Sequence, residues 1–165
     1  VAAERQLPAQ IECARRQRRV VAALGLERNA LAERAREEVR PCARGDDHAA
    51  RGDAPPETLA WAVAANDSPS VCVSYYGSGV PSMLGMIDQV ACPTLFHFGS
   101  EDAYIPNTGV DAVGAAIAGR EGFVLNVENA GHAFDNHESE MFWNESAAKA
   151  AWAKTMAFLA THLPA

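Results

Sequence analysis

The spacing of apolar positions divides this chain into two unlike parts. From Glu57 onward, short apolar runs alternate with helical patterns. The run ETLAWAVAA predicts a short buried helix, ended by the cluster Asn66-Asp67-Ser68-Pro69. SVCVSYYG, residues 70–77, is rich in β-branched and aromatic residues and closes on Gly77, which predicts a buried strand. SMLGMIDQV predicts a short helix. PTLFHFG, residues 93–99, predicts a second buried strand, whose end delivers Ser100-Glu101-Asp102. Residues 107–119 read as helix, FVLNVEN (123–129) as a third strand, and Asn144 to His162 as an amphipathic helix. Strand alternating with helix at this spacing predicts βαβ units, hence a parallel sheet with helices on its faces.

Upstream the rhythm is different. From Ile11 to about Val39 the chain is rich in Ala, Leu, Arg and Glu, all good helix formers. Val20, Ala23, Leu24 and Leu31 make an irregular apolar stripe that Gly25 weakens, so one long helix or two shorter ones are expected. Residues 40–56 (RPCARGDDHAARGDAPP) carry Pro, Gly and Asp without apolar periodicity and read as a loop. The expected organisation is a helical and loop segment over residues 1–57, followed by an α/β unit over 58–165. No internal repeat is present.

Charge sharpens this division. The net charge of −7 averages two unlike regions. Residues 1–53 hold 11 Arg, no Lys and 9 acidic residues, for +2, while the remainder holds 3 basic and 12 acidic residues, for −9. All 12 aromatic residues lie at or beyond Trp61. At 165 residues with 48% apolar and 21% charged content, the chain reads as one globular domain rather than a disordered one. No apolar run approaches the length of a membrane span. VAAERQLPAQIECARRQRR also lacks the order of a secretory leader, so a cytoplasmic protein is expected. Arg15-Arg16 and Arg18-Arg19 form a short basic cluster, but the neighbouring Glu residues and the acidic balance favour a solvated helical face. Neither a nucleic-acid nor a membrane partner is expected.

Cys13, Cys42, Cys72 and Cys92 form no CxxC or CxxH pair, so neither a metal nor a cofactor is expected, and the thiols read as reduced. Met83, Met86, Met141 and Met156 are expected to fill gaps in the core.

Candidate chemistry lies at the strand ends, because functional groups in an open α/β sheet gather at the carboxyl ends of the strands. Asp102 follows PTLFHFG, and His132 follows FVLNVEN within NAGHAFDN. Taken singly, each has an ordinary structural reading, since Asp after a strand is often a turn residue. As a pair they suggest more. A carboxylate on one loop can fix the tautomer of an imidazole on the next and stabilise its cation. The order acid then histidine, each after its own strand, matches that of the α/β-hydrolase triad.

SYYGSG (74–79), CPTLFHFGSEDAYIP (92–106), NAGHAFDN (129–136) and SAAKAAWAKTMAFL (146–159) together resemble the dienelactone hydrolase family, over about residues 58–165. The resemblance implies a partial α/β-hydrolase fold preceded by the Arg/Glu-rich segment. It also implies hydrolysis of a small-molecule lactone or carboxylic ester, with Asp102 as triad acid and His132 as triad base. The family's best-known member carries an Arg four residues after its His, where this chain has Asn136.

The family's nucleophile pattern is G-x-C-x-G-G before a helix like LAWAVAA. Alignment on Leu59-Ala60-Trp61 sets Gly52-Asp53-Ala54-Pro55-Pro56-Glu57 against it, with Ala54 in the place of Cys and Pro56 and Glu57 in the places of two glycines. Those glycines permit the strained turn and close helix packing. Among substitutes, Cys72 lies within a strand, Cys92 stands at the wrong end of one, Cys42 has nothing to activate it, and Ser78 follows a strand end. The expectation is thus a dienelactone-hydrolase-like enzyme impaired by the missing elbow. The alternatives are a non-catalytic interaction protein using the N-terminal helix, or a frameshifted or truncated hydrolase in which residues 1–57 are not native family sequence. With no strand expected upstream, SVCVSYYG would present an apolar sheet edge, open to homodimer pairing or to cover by the Arg-rich helix.

Overall fold

The computed structural model describes the backbone at residues 21–22, 56–67 and 69–163. A parallel sheet runs in the order β1 (Val21–Ala22), β2 (Cys72–Tyr75), β3 (Thr94–Gly99) and β4 (Phe123–Glu128). Between the strands run α1 (Pro56–Asp67), a 3-10 segment (Val80–Gln89) and α2 (Asn107–Ile117), and α3 (Glu145–His162) follows the last strand. Each helix and strand from Pro56 onward falls on a run that the sequence marked as such, the 3-10 segment apart. Proline opens α1, where its missing N–H would lack a helical partner in any case. Asn144 caps α3, its side chain accepting the N–H of Ala147 at 3.1 Å.

Register sorts the strands into two faces. Tyr75, His97 and Asn126 are lateral neighbours on β2, β3 and β4, and they face α3, where Thr155 meets both Tyr75 and His97. Ser74, Phe96 and Leu125 form the row on the opposite face. There Trp61 of α1 packs its ring 5.4 Å from that of Phe96, and Leu125 reaches Gly114 of α2. Every residue of β2 and β3 is buried, as continuous apolar strands covered on both sides should be. β4 lies at the sheet margin and leaves Val124 and Val127 partly exposed.

Three expectations are corrected. Val21 and Ala22, assigned to the Arg/Glu-rich helical segment, are extended and pair in parallel with Cys72 and Val73. Pairing there satisfies the edge groups of β2, a tertiary gain that outweighs local helix propensity. The rest of that segment lies outside the described residues. The helix expected from SMLGMIDQV is a 3-10 segment with a non-helical residue at Met83. Pro81 lacks an N–H to donate, and Gly85 weakens a helix interior. Finally, Met83 and Met86 pack against the core, but Met141 and Met156 are exposed. Met156 is displaced outward because Thr155, Phe158 and Leu159 take the buried side of α3.

Candidate active site

The carboxyl ends of β2, β3 and β4 open onto three loops, and the backbone ties two of them together. Ser100 N–H donates to Glu128 O at 2.8 Å, and Glu101 N–H to Ala130 O at 3.0 Å. This close seam requires glycine at the end of β3. A Cβ on Gly99 would stand 2.2 Å from Ala130 O and 2.6 Å from Gly131 O. The seam thereby sets the Asp102 loop beside the His132 loop.

Asp102 and His132 meet across it, with Oδ2 of the carboxylate 2.8 Å from Nδ1 of the imidazole. The other carboxylate oxygen, Oδ1, accepts the N–H groups of Tyr104 at 2.7 Å and Ile105 at 3.0 Å. Three donors thus converge on a carboxylate that is wholly inaccessible to water, while the imidazole keeps 16% exposure. An ionised carboxylate only accepts, so Nδ1 carries the ring proton and the Nε2 lone pair is left basic. Among the described residues no hydrogen bond is made by Nε2.

Aromatic rings surround this imidazole. The ring of Tyr104 lies 5.0 Å away, that of Tyr76 5.1 Å and that of Phe142 6.5 Å. Tyr76 follows β2 directly and its hydroxyl donates to Asp135 Oδ1, three residues beyond His132. Asp135 is largely buried, and burial raises its carboxyl above the ordinary range against the opposing hydrogen bond from Tyr76. No composition or spacing argument had marked Tyr76, Tyr104, Asp135 or Phe142. The signals available were position, since Tyr76 and Tyr104 follow strands, and the family-like runs SYYGSG, CPTLFHFGSEDAYIP and NAGHAFDN, which contain Tyr76, Tyr104 and Asp135.

Cys72 and Cys92 do not join the pair. Cys72 lies in β2 and its thiol points to Ala60 O at 3.8 Å, with burial holding its pKa well above the usual thiol range. Cys92 precedes β3, beside Thr94, and burial likewise raises it. Both thiols are therefore remote from thiolate chemistry. Ser78 follows Gly77 beyond β2. Ala54, Cys13 and Cys42 lie outside the described residues. Among the described residues no group of three His, Cys, Asp or Glu side chains stands close enough to hold a metal, and no helix is long and apolar enough to cross a membrane.

Residues 57–163 match the model of the dienelactone hydrolase family. The chain is similar to the carboxymethylenebutenolidase of Pseudomonas sp. (strain P51), 32% identical over 101 residues that cover 61% of this chain and 42% of the relative. It is similar also to the carboxymethylenebutenolidase of Pseudomonas putida, 33% identical over 99 residues covering 56% of this chain and 39% of the relative. A crystal structure from Klebsiella pneumoniae subsp. pneumoniae MGH 78578, provisionally described as a dienelactone hydrolase, superposes with a TM-score of 0.56 at 25% identity, over 63% of this chain and 48% of the other. The chain spans less than half the length of the curated relatives it matches.

Proposed function

The chain belongs to the dienelactone hydrolase family, and from that premise we propose that it acts on a carboxylic ester or lactone, with His132 as general base and Asp102 as the group that orients it. The observation that carries this reading is the 2.8 Å contact between Asp102 Oδ2 and His132 Nδ1, on a carboxylate sealed from water. A buried carboxylate in that position holds the productive tautomer and stabilises the imidazolium formed when Nε2 takes a proton. The names of the curated relatives, both carboxymethylenebutenolidases, support a lactone or a related ester as the substrate class.

On this reading Nε2 draws the proton from the attacking group, and later returns it to the departing alkoxide or enolate oxygen. In the family that attacking group is a cysteine thiolate. Here Ala54 aligns with it, and no described cysteine reaches the imidazole. His132 then has water as its partner, and general-base assistance of this kind supplies about 10²–10⁴-fold. We therefore expect slow turnover, confined to activated esters and strained lactones.

The test is hydrolysis of an activated aryl ester and an enol lactone by the purified protein, His132→Ala and Asp102→Asn. Turnover above background that both substitutions abolish supports the proposal. An unchanged rate in His132→Ala refutes it. A rate abolished instead by alkylation of one cysteine would relocate the nucleophile and overturn the water mechanism.

A further inference from the structure

Two non-glycine residues among those described have a left-handed backbone, and they flank the same imidazole. Tyr76 has φ 36° and Ala133 has φ 50°. A bulky residue held there is uncommon and strained, so the surrounding structure must impose it. What imposes it at Tyr76 is visible. Its N–H donates to His97 O at 2.6 Å, its ring lies edge-on to Phe134 at 5.8 Å, and its hydroxyl donates to Asp135 Oδ1. The side chain is only 4% exposed. The ring is thus fixed at its backbone end by β3, and at its hydroxyl end by the loop that carries His132.

The Asp102 contact alone does not fix the imidazole. A ring held through Nδ1 by one hydrogen bond keeps freedom to tilt about that bond, and the tilt decides where Nε2 points. A second surface against the ring face removes that freedom. Tyr104 is a poor candidate, being 65% exposed, and Phe142 stands further off at 6.5 Å. Tyr76, at 5.1 Å, is the neighbour that is itself immobilised.

We infer that Tyr76 and Asp135 form a latch that positions His132, the hydroxyl-to-carboxylate hydrogen bond locking the Tyr76 ring against the imidazole. The inference rests on the reading of His132 as the general base. Tyr76 and Asp135 are positioning residues, since they act through His132 rather than on the reacting atoms. The latch carries a burden, because Asp135 Oδ2 is buried with no hydrogen-bond partner among the described residues. A buried acceptor without a partner costs free energy, so the carboxylate must be retained by what its other oxygen does.

The test uses Tyr76→Phe, which keeps the ring and removes only the hydroxyl, and Asp135→Asn, whose amide oxygen can still accept. The first readout needs no turnover. The imidazole ¹H and ¹⁵N signals of His132 report its tautomer population, its titration and the exchange of its Nδ1 proton. In Tyr76→Phe the Nδ1 proton signal broadens and the titration of His132 shifts, whereas in Asp135→Asn both stay nearer the wild type. The second readout is kcat and KM on the activated aryl ester. Tyr76→Phe lowers kcat roughly 10- to 100-fold with KM little changed, the size expected of a misplaced reacting group. Should no protein in the series turn over ester, the hydrolase proposal fails while the imidazole signals still judge the latch. Tyr76→Phe with His132 signals and titration identical to wild type overturns it, whatever the change in melting temperature. If Tyr76→Phe does not fold, Asp135→Leu, which removes the acceptor and leaves Tyr76 whole, decides on the same two readouts.

Discussion

Acid should destabilise this protein through one buried histidine whose side chain is not part of the Asp102–His132 pair. His97 lies in β3, wholly inaccessible, with Nδ1 accepting from the Asn126 amide at 2.8 Å and the Nε2 proton donated to Thr155 Oγ1 at 2.9 Å. A second ring proton would have to enter at Nδ1, where it would face another donor. Burial pushes the pKa of His97 down from 6.5 to about 3, and Lys154 adds to the shift while Glu128 opposes it. Lys154 donates to Asn126 and Glu128, and the Tyr75 ring lies 4.3 Å from that of His97.

The sign follows from the proton count. The folded pKa lies below the unfolded one, so as pH falls the unfolded chain takes up a proton that the folded chain refuses. This contribution is fully present above pH 6.5 and is lost progressively between 6.5 and about 3. The slope is about 1.4 kcal/mol per pH unit, or about 2 kcal/mol of stability lost by pH 5. Glu128 has a lowered pKa, since hydrogen bonds from Lys154 and Asn126 outweigh the effect of burial, and its own loss falls below 4.5, under the range from pH 7 to pH 5. Urea titrations at pH 7, 6 and 5 on wild type and His97→Gln isolate the effect. The variant is less stable at pH 7 by about 1–3 kcal/mol, because Asn126 and Thr155 lose well-placed partners. Its further drop between pH 7 and pH 5 should be about 2 kcal/mol smaller than that of the wild type. Equal drops in both proteins would refute the reasoning.

The seam between the two site loops gives a steric prediction. Gly99→Ala forces β3 and the His132 loop apart and costs about 1–3 kcal/mol in thermal or urea unfolding, whereas Gly114→Ala meets only the movable end of Leu125 at 3.2 Å and costs less than half as much. Equal melting temperatures for the two variants would show that the seam yields freely. Cys72 and Cys92 are buried with raised pKa values, so an aromatic disulfide reagent should label neither until denaturant is added, as peptide mapping after native labelling would show. Trp61→Phe removes the indole N–H donated to Met83 O at 3.1 Å together with part of the packing on Phe96, for a loss of about 1–3 kcal/mol in urea unfolding.

How much of this was legible in the sequence depends on how local each signal is. Continuous apolar runs and the turn residues that bound them mark β2 and β3, because a strand buried on both faces must be apolar along its whole length, and FVLNVEN marks β4 at the sheet margin. The cap at Asn144 and the stop at Asn66-Asp67 are equally local. Asp102 and His132 could be picked out because parallel topology obliges residues just after the strands to share one end of the sheet. Other features had no local signal. Val21–Ala22 is a strand only because the edge of β2 offers hydrogen bonds, and two residues in an Arg/Glu-rich stretch cannot declare a partner fifty residues away. Tyr76 and Asp135 read as ordinary residues until strand register and the left-handed turn at Ala133 bring hydroxyl and carboxylate together. His97 looked like one more position in an apolar run, and it is neutral because Asn126 and Thr155, 29 and 58 residues away, supply its partners. Composition and spacing determine which segments must be buried. Which polar groups share that burial, and with what charge, is decided by tertiary packing, because a buried polar group is stable only where the fold happens to set a partner beside it.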